Sequence, residues 1–165
     1  MRMTPNFCIM GPCGCGKSTV GILLAQQLDA RFIEGDDFHP ESNRQKMASG
    51  QALDDDDRKP WMALLNQALK EAGQEPVVLS CSALRKSYRD WLRDGQTRPL
   101  HFVCLTGSRE LLAARLAGRN HEFMNPKLLD SQLATLEIPQ DEPNTQILDV
   151  ALSPEKLVEA IKSKL

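Results

Sequence analysis

An α/β fold, in which a parallel sheet is covered by helices on both faces, is predicted by two features of the sequence. Short apolar runs alternate with amphipathic stretches along the whole chain, and glycines close several of the amphipathic stretches. At 165 residues the chain is the size of one domain, residues 1–165.

The apolar runs are FCIM at 7–10, RFIE at 31–34, PVVLSC at 76–81, LHFVCL at 100–105 and TQILDV at 145–150, which read as five strands. The stretches between them read as helices. Lys17–Leu28 carries Val20, Leu23, Leu24 and Leu28 on one stripe, and further helices are predicted over 60–72, 87–93, 109–117, 126–136 and 153–164. Gly73, Gly95 and Gly118 each stand where a helix needs a left-handed last residue. Ser153, Pro154 and Glu155 supply a start signal: an N-cap, a first-position proline and an acid in the first turn. The acidic run DDDDR at 54–58 is expected to be a solvated loop leading into the helix at Trp61.

Composition narrows the function. A net charge of -2, with acids and bases interspersed, leaves no basic face for a nucleic acid. Of the five cysteines, Cys8, Cys81 and Cys104 fall in apolar runs, so free thiols and a reducing compartment are expected. No stretch is apolar enough to serve as a leader or to span a bilayer, and a cytoplasmic protein is expected.

GPCGCGKST at 11–19 lies between the first strand and the first helix. Gly11, Gly14 and Gly16 allow positive φ, so that the main chain, with Pro12, Cys13 and Cys15 between, can aim several N–H groups at one point. Lys17 adds a cation, Ser18 a hydroxyl for Mg²⁺ with Thr19 beside it, and the helix its positive end. This is the P-loop pattern GxxxxGK[ST] in the strand-to-helix context its mechanism demands, so a nucleoside triphosphate such as ATP is expected there. Cys13 and Cys15 read as small loop fillers. A redox role remains open, on the expectation that Lys17 and the helix end lower a thiol pKa.

The guanine signature N-K-x-D and the switch string D-x-x-G are absent, and VVLS runs into Cys81 and Ser82 rather than into an acid. That leaves small-molecule kinases, whose catalysis is mostly positioning and charge neutralisation. FIEGDDFHP then supplies acids at a strand end. Alternation along a strand would turn Glu34 and Asp36 to one side, Asp36 as base for the acceptor hydroxyl and Glu34 near the water shell of Mg²⁺. A solvated acidic cluster is the alternative. In CSALRKSYRDWLR, Arg85 and Arg89 share a helix face and could grip an anionic acceptor, or simply form a solvated face. Arg115 and Arg119 straddle Gly118 as the arginines of a lid would.

These strings together resemble the gluconokinases, and more widely the shikimate-kinase-like kinases, along nearly the whole chain. The resemblance is carried by the P-loop, by FIEGDDFHP, by the block from Asn43 to Trp61, by CSALRKSYRD, by FM at 123–124 and by the LL.SQ..TLE.P pattern at 128–139. It implies ATP-dependent phosphorylation of D-gluconate at its 6-hydroxyl, a sheet in the order 2-3-1-4-5, an acceptor region at about 36–60, a lid at about 118–126 and a homodimer. It further implies that Arg115 lies near adenine, that Arg119 reaches the phosphates, that Asp36 faces the acceptor, and that His39, Arg44, Lys46, Arg58 and Arg85 line or support the sugar-acid pocket. The chain departs from the usual family pattern at Cys13, Cys15, Glu34 and Arg85, and reads HEFM at 121–124 where GHFM is usual. Another small hydroxy acid such as shikimate, or a catalytically silent nucleotide-binding regulator, are the alternative functions.

Overall fold

β1 (Asn6–Met10) runs through the middle of a five-stranded parallel sheet in a computed structural model that describes residues 3–117 and 126–165. β3 (Val77–Ser80) and β4 (Leu100–Thr106) flank it, with β2 (Arg31–Glu34) and β5 (Thr145–Asp149) at the edges, giving the order β2-β3-β1-β4-β5. Cys8 sits opposite Leu79 on one side and Phe102 on the other.

Why the central strands are mostly apolar is plain from where their side chains go. Cys8 and Met10 of β1 join Phe102 and Cys104 of β4 in one core, while Phe7 and Ile9 join Val103 and Leu105 in the other. Helices α3 (Asp55–Glu71) and α4 (Lys86–Arg93) cover the first face through Trp61, Met62, Leu65, Tyr88 and Leu92. The second is covered by α1 (Lys17–Leu28), α5 (Arg109–Ala117), α6 (Pro126–Thr135) and α7 (Pro154–Lys162), through Val20, Leu24, Leu112, Leu129, Leu157 and Ile161. Each large aliphatic chain so buried contributes about 2 kcal/mol of transfer free energy.

Parallel strands put all five carboxyl ends on one edge, where the ligands of such sheets bind. That edge gathers the loop after β1, a 3-10 turn over Gly35–Phe38 after β2, the Cys81–Arg85 loop after β3, and Val150 after β5.

Two features differ from the sequence-based expectation. DDDDR is not a loop: Asp54 caps α3, accepting from the Asp57 N–H at 2.8 Å while the Asp57 carboxylate accepts from the Asp54 N–H at 2.9 Å. Reciprocal capping and three acids at the positive end of the helix start it five residues before Pro60, which sits within its first two turns. A helix α2 (Glu41–Ala48) was also unforeseen, because its one buried side chain is the polar Asn43 and it has no apolar stripe.

Candidate active site

The loop from Gly11 to Gly16 turns back through positive φ at Gly11 (141°), Gly14 (84°) and Gly16 (88°). A Cβ on Gly11 would stand 2.3 Å from the Leu105 carbonyl oxygen, so the loop can pass against β4 only with glycine there. Gly16 leads into α1, whose start receives no side-chain cap and has no acid in its first turn, unlike the capped starts of α3 and α7. The first-turn N–H groups and the positive end of the helix are thus left for an anion. Lys17 Nζ bends back to the Pro12 carbonyl at 3.2 Å and to Cys15 Sγ at 3.9 Å. Burial works against its charge, but the Cys15 thiol and the Asp36 carboxylate outweigh burial and hold the ammonium above the usual lysine range. Thr19 points to solvent.

Ser18 donates to the Glu34 carboxylate in a short hydrogen bond, and its hydroxyl lies 3.4 Å from that of Ser80. Burial is the main cause that raises the Glu34 carboxyl. These are hard oxygen donors of the kind Mg²⁺ takes, and among the described residues no cluster of three or more His, Cys, Asp or Glu side chains is suited to hold a metal. The set therefore fits an ion that keeps most of its shell as water and phosphate oxygens.

Asp36 reaches the same cleft as Lys17, by a route that strand alternation does not provide. β2 stops at Glu34, and Asp36 lies in the 3-10 turn, so the two acids do not share a strand face. Desolvation by the cleft walls pushes the Asp36 carboxyl up although its side chain is open to solvent, yet the His39 ring, the Lys17 ammonium and Arg44 together bring it below the usual aspartate range. Asp36 is therefore an ionised carboxylate at neutral pH, ready to accept a proton. Arg44 donates to the Asp36 main-chain carbonyl at 3.1 Å, and His39 stacks on Trp61 with ring centroids 3.7 Å apart.

The cleft between these groups is walled by Lys17, Asp36, His39, Arg58, Trp61 and Ser82, with Leu128, Ser131 and Gln132 of α6 opposite. Arg58 is 7% exposed and pairs with no acidic side chain among the described residues. Its Nη1 donates to Tyr88 Oη at 2.8 Å, its guanidinium carbon lies 5.2 Å from the centre of the Tyr88 ring, and the Tyr88 hydroxyl donates in turn to Asp55. Burial and that carboxylate push the Tyr88 hydroxyl above its usual range, so it stays a neutral donor.

The other cations are differently placed. Lys46 is bound to Asp57 at 2.6 Å and approaches Asp54 at 3.6 Å, bracing the start of α3. Arg85 lies 3.6 Å from Asp55 in a second, shallower hollow that Arg58 also borders. Arg89 neither grips a ligand beside Arg85 nor lies on a solvated face, the two readings its helical spacing had left open. It is fully buried, bound to Glu142 at 2.5 Å and to the carbonyls of Ala83 and Glu137 at 2.8 and 2.9 Å. It anchors the loop after β3, where Ala83 holds a positive φ of 44°. Arg115 Nη2 donates to the Val150 carbonyl at 2.7 Å, bridging α5 to the end of β5. Arg119 and the lid expected at about 118–126 lie outside the described residues, apart from the main chain of Pro126 at the start of α6.

Known proteins are similar to this chain in sequence and in fold. The model of the shikimate kinase family matches residues 13–162. The gluconokinase of Gluconobacter oxydans is 48% identical over 146 residues, covering 86% of this chain and 81% of that protein. The thermoresistant gluconokinase of Escherichia coli is 41% identical over 147 residues, covering 87% and 83%. A crystal structure of a gluconokinase from Sinorhizobium meliloti superposes with a TM-score of 0.87 at 45% identity, covering 96% of this chain and 90% of that one. The chain belongs to the gluconokinase family.

Both P-loop cysteines are buried, as small loop fillers would be, and at Cys13 the redox alternative loses its premise. Cys13 is 4% exposed, and burial raises its thiol despite the Lys17 charge, so the lowered pKa that a redox role needs is absent at this residue. Gln132 was not singled out from the sequence. Its Oε1 accepts from the Cys13 N–H at 2.7 Å, linking α6 to the P-loop across 119 positions of sequence. A glutamine on a helix carries no local signal of such a contact. Ser80 was likewise missed, because a serine closing a buried strand reads as strand.

Proposed function

We propose that this gluconokinase-family protein moves the γ-phosphoryl group of ATP to the 6-hydroxyl of D-gluconate, giving ADP and 6-phospho-D-gluconate. The observation that carries the reading is one cleft lined together by Lys17, an ionised Asp36 and Arg58, which has no acidic partner among the described residues. The P-loop amides of Gly11 to Thr19 and the Lys17 ammonium take up triphosphate charge, and Arg115 borders the adenine end. Asp36 accepts the proton of the acceptor hydroxyl as its oxygen bonds to phosphorus and the bond to the ADP oxygen breaks. Arg58, which has no acidic partner among the described residues, takes the sugar-acid carboxylate. His39, Arg44, Lys46 and Arg85 support that pocket, within an acceptor region of about 36–60.

Mg²⁺, held by Ser18 with Glu34 and Ser80 behind it, would neutralise charge on the transferring phosphoryl group. A single kinase domain, a homodimer and a cytoplasmic location complete the proposal. Among the described residues no helix is long and apolar enough to cross a membrane.

The test is ADP release, followed by a coupled assay over gluconate, other aldonates and shikimate, with the product's phosphorus located by NMR. Gluconate should give the highest kcat/KM and a phosphate on C6. If ATP binds and no acid raises ADP release above the rate in water alone, the transferase reading fails and a nucleotide-binding regulator takes its place.

A further inference from the structure

The turn that carries Asp36 is held by contacts that end on a residue outside the cleft. Trp61 Nε1 donates to the Gly35 carbonyl at 2.9 Å, and its indole stacks on the His39 imidazole at an interplanar angle of 24°. Stacking fixes the plane of that ring without deciding which nitrogen carries the hydrogen.

Asn43 decides it. Its side chain is buried, and Nδ2 lies 3.0 Å from the main-chain carbonyl oxygen of Asp57, an atom that can only accept. The amide nitrogen is therefore the atom at that position. The same Nδ2 lies 3.2 Å from His39 Nδ1. An amide NH₂ offers hydrogens and no lone pair, so Nδ1 must be the acceptor. The ring hydrogen is left on Nε2, the atom 3.6 Å from Asp36 Oδ1.

We propose that Asn43 and His39 form a positioning pair for Asp36. Asn43 fixes the Nε2–H tautomer, and His39 presents that hydrogen to one carboxylate oxygen, leaving the other free for the acceptor hydroxyl. The proposal rests on the reading of Asp36 as the base. A separation of 3.6 Å is longer than a formed hydrogen bond, but the Asp36 side chain is 64% exposed and a small rotation closes the gap. Contacts of this kind commonly tighten only when substrate binds. The opposite tautomer would set a nitrogen lone pair against the carboxylate and would turn an N–H onto the Asn43 NH₂.

Long-range proton–nitrogen spectra of histidine-labelled full-length protein, without substrate, read the tautomer directly, the His39 signals being those that vanish in His39→Gln. Hydrogen on Nε2 with Nδ1 bare, and a mixture of tautomers in Asn43→Ala, is the expected result. Hydrogen on Nδ1 in the wild type overturns the pair.

Kinetics supply the second arm. His39→Gln restores an N–H near the place of Nε2, whereas His39→Asn restores one near that of Nδ1 only. The glutamine variant should keep kcat within about 5-fold of wild type, and the asparagine variant should lose about 10- to 100-fold with the KM for ATP unchanged. Equal losses, or the reverse order, overturn the proposal. Near-normal transfer by Asp36→Asn would instead overturn the base assignment and the purpose given to the pair, while the spectra still report the tautomer, so the two failures are told apart.

Discussion

Replacing Tyr88 by phenylalanine removes one oxygen from the support of Arg58 and leaves the rest in place. The ring keeps its position 5.2 Å beneath the guanidinium, and the residue is 1% exposed, so no cavity large enough for rearrangement opens. Two hydrogen bonds are lost, one from Arg58 Nη1 at 2.8 Å and one to Asp55. The Asp55 side chain is 53% exposed and regains water, so its share is close to zero. Arg58 is 7% exposed and does not, so a hydrogen bond to a charged group is lost outright, worth about 1.5–3 kcal/mol. With the ring contact retained, the lower part of that range applies: about 2 kcal/mol of stability, or a melting temperature lower by about 4–8 °C for a chain of this size. The freed guanidinium must also be ordered again by each incoming carboxylate. The KM for gluconate should therefore rise about 10-fold, with kcat and the KM for ATP within about twofold of wild type. Steady-state kinetics with each substrate varied in turn, beside a thermal melt, measure all of this. A normal KM for gluconate alongside the expected fall in melting temperature would show that Tyr88 is only packing and that Arg58 is not the carboxylate clamp.

Three further outcomes follow from the geometry. Lys17→Ala should lower kcat about 10³-fold or more in the coupled assay with its circular dichroism unchanged, since among the described residues the bonds of Nζ stay within its own loop. Glu142→Gln should cost about 3–5 kcal/mol in a denaturant melt, because it strands the fully buried Arg89. Burial pushes the Glu142 carboxyl up, but Arg89 and Arg93 outweigh it and hold it below the usual range, so its contribution is complete above about pH 4.5 and drains away as pH falls through the lowered value; the variant's melt should be less steeply pH-dependent there. Cys13, raised by burial, should resist iodoacetamide at neutral pH in the native protein and react once the chain is unfolded, as peptide mass mapping would show.

What could be read from the sequence follows the physics of each element. β1 and β4 are buried on both faces, so their runs are largely apolar and stand out at once, and the P-loop is legible because three positive-φ glycines and a lysine are needed in fixed order. α2 was silent because its buried anchor, Asn43, is polar and binds the ring nitrogen of His39 and a main-chain carbonyl. The acids at 54–57 looked like solvated charge because a capping box and a loop have the same composition; only the reciprocal bonds between Asp54 and Asp57 separate them. Arg89 was misjudged for a related reason. Helical spacing suggests a face shared with Arg85, but Arg85 is the extended residue before α4, the Arg89 partner Glu142 comes from 53 residues further on, and no local pattern announces a pairing at that range.

The central claim is that one cleft brings the phosphate cradle and an ionised aspartate to the same alcohol. A crystal structure of the ternary complex with gluconate and a non-hydrolysable ATP analogue tests it most directly. The account predicts the sugar-acid carboxylate on Arg58, the primary hydroxyl within hydrogen-bond reach of Asp36, and that hydroxyl in line with the terminal phosphate held at Lys17. Gluconate bound away from Asp36, or turned so that its carboxylate meets Lys17, would contradict it.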